Sequence, residues 1–300
     1  MILLTGGCPA RVSAPLITIV VPCYNYAEYL EECLRSVVAQ TYPDWEAVVV
    51  DDASTQGDVA AVVAQIGDAR IRLVRHAQNQ GLAAARNTGI RAGQGELVLP
   101  LDADDKLAPV YLETLAPLLT GHPEYTAAFP DFHAFGARDG IIRFHVRDVQ
   151  ALLRDQWVPG PGTLFRRTLW QQVGGYCDAL RAGNEDWDFW LGAAEHGLRV
   201  AHIPQALYYY RQHPDSMAIR QRSTESATRE FLYTRHRRLF DQFGRGGVFR
   251  AEGYRRSAGA AWQRGERVRA VRLAGRGWLL APRSFMRATA RAIRVALRRA

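Results

Sequence analysis

No apolar run in this chain approaches the ~20 residues needed to span a bilayer, so the sequence does not read as transmembrane. Met1–Leu4 is apolar but short, and it lacks the basic start and long apolar segment of a signal peptide. Cysteine is scarce: Cys8, Cys23, Cys33 and Cys177 show none of the paired spacing of a zinc site or a disulfide framework. Free thiols in a reducing cytoplasm are the expectation. Lysine is nearly missing, with Lys106 the single one among 38 basic residues, a pattern that looks like coding bias. No Gly-x-Gly-x-x-Gly occupies the first turn, which excludes a nicotinamide-dependent oxidoreductase. No internal repeat is visible.

What is present is material for a large core and a lopsided charge. Three hundred residues, 48% of them hydrophobic, suit one large or two small domains. The net charge is +8, but residues 220–300 hold 21 arginines against 5 acids, or +16, which leaves residues 1–219 at −8. Such a split predicts a site-bearing domain followed by a cationic appendage that meets something anionic.

The first 120 residues alternate strand and helix. Leu16–Pro22 is a continuous β-branched run of the kind buried on both faces, ended by Pro22. Glu28–Gln40 carries Tyr29, Leu30, Cys33, Leu34, Val37 and Val38 on one helical stripe. Trp45–Val50, Ile71–Val74 and Leu97–Leu101 read as strands, and Val59–Ile66 and Leu82–Ala92 as helices. Pro109–Leu119 reads as a helix opened by its proline. This order predicts an α/β fold with a parallel sheet and right-handed crossovers.

From Thr126 the rhythm changes. Ala127–Phe135 and Ile141–Val146 flank Gly136–Gly140 as a hairpin, and Pro159–Thr163 is a glycine- and proline-rich loop able to approach a ligand closely. Glu185–His196 reads as an aromatic-rich helix and Ala206–Tyr210 as a short strand. Beyond about Ser223 helices follow, with breaks near Gly244–Gly247 and at Pro282.

Three acidic clusters carry the chemistry: Asp51-Asp52, Asp102-Ala103-Asp104-Asp105 and Glu185-Asp186. The first two follow the strand-like runs Glu46–Val50 and Glu96–Leu101, and ligands of open α/β sheets collect at such carboxyl ends. Several acids placed there repel one another unless they share a cation or a proton. A divalent metal with a phosphorylated substrate satisfies that arrangement. Helix caps and turns also recruit aspartate, but they account better for one such cluster than for two in succession.

Together these residues resemble a family. Ile19-Val-Val-Pro-Cys-Tyr-Asn25, Leu34–Tyr42, Val48-Val-Val-Asp-Asp-Ala-Ser-Thr55, Asn79–Gly89 and Leu101–Asp105 are similar, in order and spacing, to the opening of family 2 glycosyltransferases with the GT-A fold. Gly174-Gly-Tyr176, Glu185-Asp-Trp-Asp188 and Tyr209-Tyr-Arg-Gln-His213 continue the resemblance, which covers Leu16–Met217. It implies a GT-A-type, Rossmann-like, mostly parallel sheet flanked by helices, with a basic helical C-terminal extension. The division expected is a flexible segment 1–14, a catalytic domain 15–219 (nucleotide half 15–120, acceptor half 121–219) and an extension 220–300.

The resemblance also implies transfer of a sugar from a nucleoside-diphosphate donor, UDP-linked, to a saccharide or lipid-linked acceptor hydroxyl with inversion, in the synthesis of envelope or extracellular glycans. Pro22, Cys23 and Tyr24 would line the nucleobase, with Glu28 a further contact, and Asp52 would accept hydrogen bonds from the base. Asp102, with Ala103 beside it, would face the ribose. Asp104 would hold Mn²⁺ or Mg²⁺, with His213 as an additional ligand. Asp186 would be the general base, paired with Glu185. Arg86, near a helix start, would face a phosphate or else be a solvated helix charge, and Gly162 and Thr163 would lie near the donor sugar or acceptor.

Other readings stay open. A nucleotide-sugar pyrophosphorylase would need a glycine-rich basic loop after the first strand, where Pro22–Tyr26 stands instead. A non-catalytic relative that binds sugar nucleotides or membrane surfaces would not need both Asp104 and Asp186. Arg283, Arg287, Arg291, Arg294 and Arg298 fall on one helical face, which suits an anionic membrane surface at the inner face of the cell membrane, or a helix with a solvated face. No nucleic-acid-binding module is recognised, and none is expected.

Overall fold

The computed structural model describes residues 15–181, 183–213 and 224–287. The alternating first part holds β1 (Ile17–Cys23), α1 (Ala27–Val38), β2 (Trp45–Asp51), α2 (Val59–Ile66), β3 (Ile71–Arg75), α3 (Leu82–Ala92) and β4 (Leu97–Pro100). Strands β3, β2, β1 and β4 lie side by side and parallel, with β1 in the centre between Trp45–Asp51 and Leu97–Pro100. Strands β1, β2 and β4 are largely apolar on both faces because helices cover both, while the edge strand β3 exposes Arg72 and Arg75. Leu30, Cys33, Leu34 and Val37 of α1 bury one face. Ile90 of α3 joins the core on the other.

Strand β1 runs one residue past the proline expected to end it. Leu101 N donates to Val20 O at 2.9 Å, and β4 pairs with β1 no further. Pro22 lies past the end of that pairing, where a missing N–H costs the ladder little. The helix expected from Pro109 begins later: α4 spans Tyr111–Thr120, with Val110 at its cap.

The second part holds β5 (Lys106–Leu107) ahead of α4, then β6 (Ala127–Gly136), β7 (Gly140–Ile142), α5 (Val149–Leu152), β8 (Leu164–Arg166), α6 (Arg167–Val173), α7 (Glu185–Glu195) and β9 (Val200–Gln212). One sheet continues through all of them, in the order β3-β2-β1-β4-β8-β6-β9-β5, with β7 hairpinned onto β6. Here direction mixes: β8 is antiparallel to β4 and β6, while β6 and β9 are parallel. Strand β7 is shorter than the expected Ile141–Val146, and β9 far longer than Ala206–Tyr210. A bulge near Pro130 and Asp131 carries β9 across a register shift, which hides its first half from a period-2 reading.

Residues beyond 224 form α8 (Glu225–Arg235), α9 (Arg237–Gln242), α10 (Gly246–Gln263), α11 (Arg267–Leu280) and a further turn at 282–287. Leu232, Leu239, Phe240 and Phe249 share one apolar cluster with Trp187, Phe189 and Trp190 of α7. The basic extension is therefore fused to the domain before it through a common core. The expected boundary at 219/220 and the segment 1–14 lie outside the described residues, as do Arg291, Arg294 and Arg298 of the expected arginine face. Among the described residues no helix is long and apolar enough to cross a membrane.

Candidate active site

The ends of β1, β2 and β4 bring their loops together, and two buried thiols register how closely. Burial, then Asp105, Asp104 and Asp102, push the Cys33 thiol well up. Burial, with Asp51 and Asp104 adding to it, pushes Cys23 up to about 11. Pro22 and Cys23 are buried at the end of β1, while Tyr24 and Glu28 are exposed. Tyr24 therefore offers an open aromatic face beside them.

The loop after β4 separates its three aspartates. Asp105 is buried, accepting from Tyr208 Oη at 2.6 Å and from Arg211 N at 2.7 Å. Burial and its neighbours Asp104 and Asp102 hold it well above the usual carboxylate range. Asp104 is half-buried and meets His213 Nε2 through Oδ2 at 2.8 Å. Burial and Asp102 raise it, and His213 pulls it back. The His213 ring stands edge-on to Tyr26 and Tyr29 at centroid distances of 5.9 and 5.5 Å.

Asp102 turns the other way. Its Oδ1 accepts from Arg86 Nη2 at 2.9 Å, and Arg86 Nη1 donates to Glu185 Oε1 at 2.6 Å. Arg86 is only 2% exposed, so it is a buried bridge rather than a solvated helix charge. Burial alone would lower its pKa, but Asp102 and Glu185 outweigh that and hold it charged. One guanidinium thus joins the strand end to α7 across 99 residues of chain.

Helix α7 opens on Asn184, whose φ of 68° is left-handed. Glu185 follows, buried, and burial with Asp186 alongside pushes it above the usual range while Arg86 pulls it back. Asp186 is half-buried; Oδ2 accepts from Gln156 Nε2 at 2.7 Å and Oδ1 from Trp187 N at 2.8 Å. The Pro159–Thr163 loop makes its close approach here: a Cβ at Gly160 would collide with the Asp186 carboxylate, and one at Gly162 with the Tyr208 ring. Thr163 is fully buried, its hydroxyl donating to Pro159 O at 2.8 Å. That segment holds protein groups in place.

Asp52 is committed within the chain. It accepts from Gln80 N and Gly81 N at 2.8 Å each and meets His76 Nδ1 at 2.7 Å. Its buried carboxylate pins the loop ahead of α3. The neighbouring Asp51 is also buried but accepts from the exposed Arg75 Nε at 2.7 Å and from Ser54 N at 2.8 Å. Gln156, Glu32 and Arg211 also stand at the site without having been marked by the acidic clusters. Arg211 donates from Nε to Asp104 O at 2.8 Å and pairs with Glu32, which Lys106 and Arg211 hold below its usual range. The motif Tyr209–His213 was the one available signal for Arg211.

A carboxylate–imidazole pair, a buried cation spanning two acids and a half-open aspartate thus gather around the loop after β4 and the start of α7. The family model described as Glycosyl transferase family 2 matches residues 18–189. This chain is a family 2 glycosyltransferase. The putative glycosyltransferase EpsE of Bacillus subtilis (strain 168) is 30% identical over 217 residues, 70% of this chain and 77% of that protein. The O-antigen biosynthesis protein RfbC of Myxococcus xanthus is 32% identical over 238 residues, 74% of this chain but 18% of its own length. Among solved structures, S. aureus TarS 1–349 in complex with UDP superposes with a TM-score of 0.65 at 19% identity, over 90% of this glycosyltransferase and 82% of that chain. The mannosyltransferase PcManGT of Pyrobaculum calidifontis, solved with GDP-Man and Mn²⁺, gives 0.62 at 22% identity, over 93% and 84%. At those identities the structural likeness establishes the fold.

Proposed function

We propose that this glycosyltransferase moves a sugar from a UDP-linked donor to an acceptor hydroxyl with inversion, using a divalent cation. The observation that carries this reading is the polar cluster in which His213 meets Asp104 and Arg86 joins the neighbouring Asp102 to Glu185 beside Asp186. It supports donor phosphates at one end and proton removal at the other. The uridine nucleotide is supported by the fold shared with TarS, solved with UDP and with UDP-GlcNAc. A polysaccharide acceptor is supported by the relatives' descriptions, O-antigen biosynthesis among them. Lipid-linked and saccharide acceptors both fit, and a lipid-linked one would bring the enzyme to a membrane.

The residues present fit a divalent cation. Asp104 Oδ2 and His213 Nε2 lie 2.8 Å apart, an oxygen and a nitrogen close enough to share one cation in place of their mutual bond. Asp102 and Asp104 stand close enough there to disfavour each other's charge, with Arg86 bound to Asp102, so a cation at Asp104 would relieve the crowding. Among the described residues no third protein group completes a cage, as suits a metal that takes its other ligands from a diphosphate and water. Mn²⁺ and Mg²⁺ both accept these donors. When bound, the cation neutralises charge on the departing diphosphate.

The chain's own residues do the rest. Asp186, held on two sides by Gln156 and Trp187 N, takes the acceptor proton as the hydroxyl attacks. Arg86 fixes Glu185 beside it. Tyr24 packs against the base with Pro22 and Cys23 beneath, and Asp102 and Ala103 lie along the ribose. Asp52 acts on the base site by shaping the loop it pins through Gln80 N and Gly81 N.

Calorimetry tests this. UDP should bind at least about tenfold more tightly with Mn²⁺ than with chelator, and Asp104→Ala should abolish that difference. Equal affinity with and without metal in the native protein removes the cation from the proposal.

A further inference from the structure

Helix α11 is amphipathic in the wrong sense for a helix that only completes a core. Its small residues Ala270, Ala274 and Gly277 turn inward, Gly277 against Tyr254 of α10 and Phe285. At 100° per residue, Val268, Val271, Gly275, Trp278 and Leu279 fall together on one flank, running from beside the inward row round to the side opposite it. They are in solvent: Val268 is 67% exposed, Trp278 48% and Leu279 73%. Met286 in the next turn and Trp262 at the end of α10 are exposed too. Arg269, Arg272 and Arg276 form the adjoining stripe, with Arg283 and Arg287 beyond them.

We propose that this face of α11 seats the enzyme on an anionic lipid bilayer, with Val268, Val271, Trp278 and Leu279 entering the interface and the flanking arginines meeting lipid phosphates. Interfacial helices combine these parts: an exposed apolar stripe with an aromatic anchor, and cations on long stems that reach headgroups. The charge favours this occupant over others. Glu266 engages Arg264 and Arg269, but among the described residues no acid lies within ion-pair reach of Arg272, Arg276, Arg283 or Arg287. A second copy docking through the same face would set arginine against arginine. A nucleic acid would use the arginines but leave the apolar stripe unpaired.

The surface lies on α11 itself and does not depend on residues 288–300. Nor does it depend on the proposed reaction, since lipid binding is read without any transfer.

The test is co-sedimentation of the full chain with vesicles of neutral phosphatidylcholine, and with vesicles that include phosphatidylglycerol, at about 0.1 and about 0.5 M salt. The expected result is binding to anionic vesicles alone, weakening as salt rises. Val268→Asp with Leu279→Asp, and separately Arg272→Glu with Arg283→Glu, should each reduce it at least about tenfold. Melting temperature and UDP binding should stay unchanged, since all four side chains lie outside the core. Equal binding to neutral vesicles overturns the proposal. So does retention of binding by both variants when Arg291→Gln, Arg294→Gln and Arg298→Gln together abolish it. Conversion of a native dimer to monomer by Leu279→Asp would assign the face to a second copy, and tighter binding to duplex DNA than to vesicles would assign it to nucleic acid.

Discussion

The sheet-borne domain and the helical extension differ in where they keep backbone strain. Asn25, Ala53 and Asn184 are the non-glycine residues with left-handed φ among those described, and all three lie before residue 213. Each adjoins a candidate site residue: Asn25 follows Tyr24, Ala53 follows Asp52, and Asn184 precedes Glu185. The extension, from Glu225 onward, has none. The same division holds for charge, with acids crowded into the first part and arginines spread over the second. Strain and like-charge crowding persist only where surrounding structure holds them. What the extension supplies is part of that hold: His236 Nε2 meets the fully buried Asp188 Oδ1 at 2.9 Å, and Arg235 Nε reaches it at 3.1 Å. Arg229 stacks over Trp187, the residue after Asp186, at 4.8 Å.

The sharpest test of this contrast removes the cation inside the acidic half. Arg86→Met strands two carboxylates, and breaking a buried pair in this way costs about 3–5 kcal/mol. Chemical denaturation measures it, and a loss under about 1 kcal/mol would mean the crowding needs no central cation. Asp186→Asn comes next, with turnover down at least about 100-fold and UDP affinity unchanged. Wild-type turnover in that variant would transfer the base to another residue. On the basic side, His236→Phe should cost about 1–3 kcal/mol by leaving Asp188 short of a donor. If its melting curve overlays the native one, the extension merely leans on α7. The smallest effect is Ala53→Gly, which should stabilise by about 0.5–1 kcal/mol as the left-handed strain is relieved. A destabilised variant would show that Ala53 sits there without strain.

The half that carries strain was also the half most legible in sequence. Val59–Ile66 and Leu82–Ala92 were expected with the boundaries that α2 and α3 have, because periodicity and flanking glycines mark both ends. The run into β2 was as clear, since strands covered on both faces read as unbroken apolar stretches. Short elements were not visible. Lys106–Leu107 is a strand only because Tyr208 and Tyr209 lie opposite, and Leu164–Arg166 because β4 and β6 flank it. No local pattern encodes such neighbours. The site followed the same rule: the acids stood out as clusters, whereas what each one touches did not. Asp105 stood in plain view, but its partners Tyr208 and Arg211 are 103 and 106 residues away. Gln156 carried no signal at all, being one amide in an irregular loop that turns out to end on Asp186.

The Arg86 bridge has a mechanical side. A guanidinium is flat and stiff, and its two terminal nitrogens lie a fixed distance apart. With one on Asp102 and the other on Glu185, the loop after β4 and the first turn of α7 are riveted at that spacing. Neither carboxylate can swing without tugging on the other. A ligand that shifts Asp102 by a few tenths of an ångström is felt at once by the residue beside Asp186. The two ends of the bridge are therefore geared together in this chain, and a substitution that moves one carboxylate will shift the other.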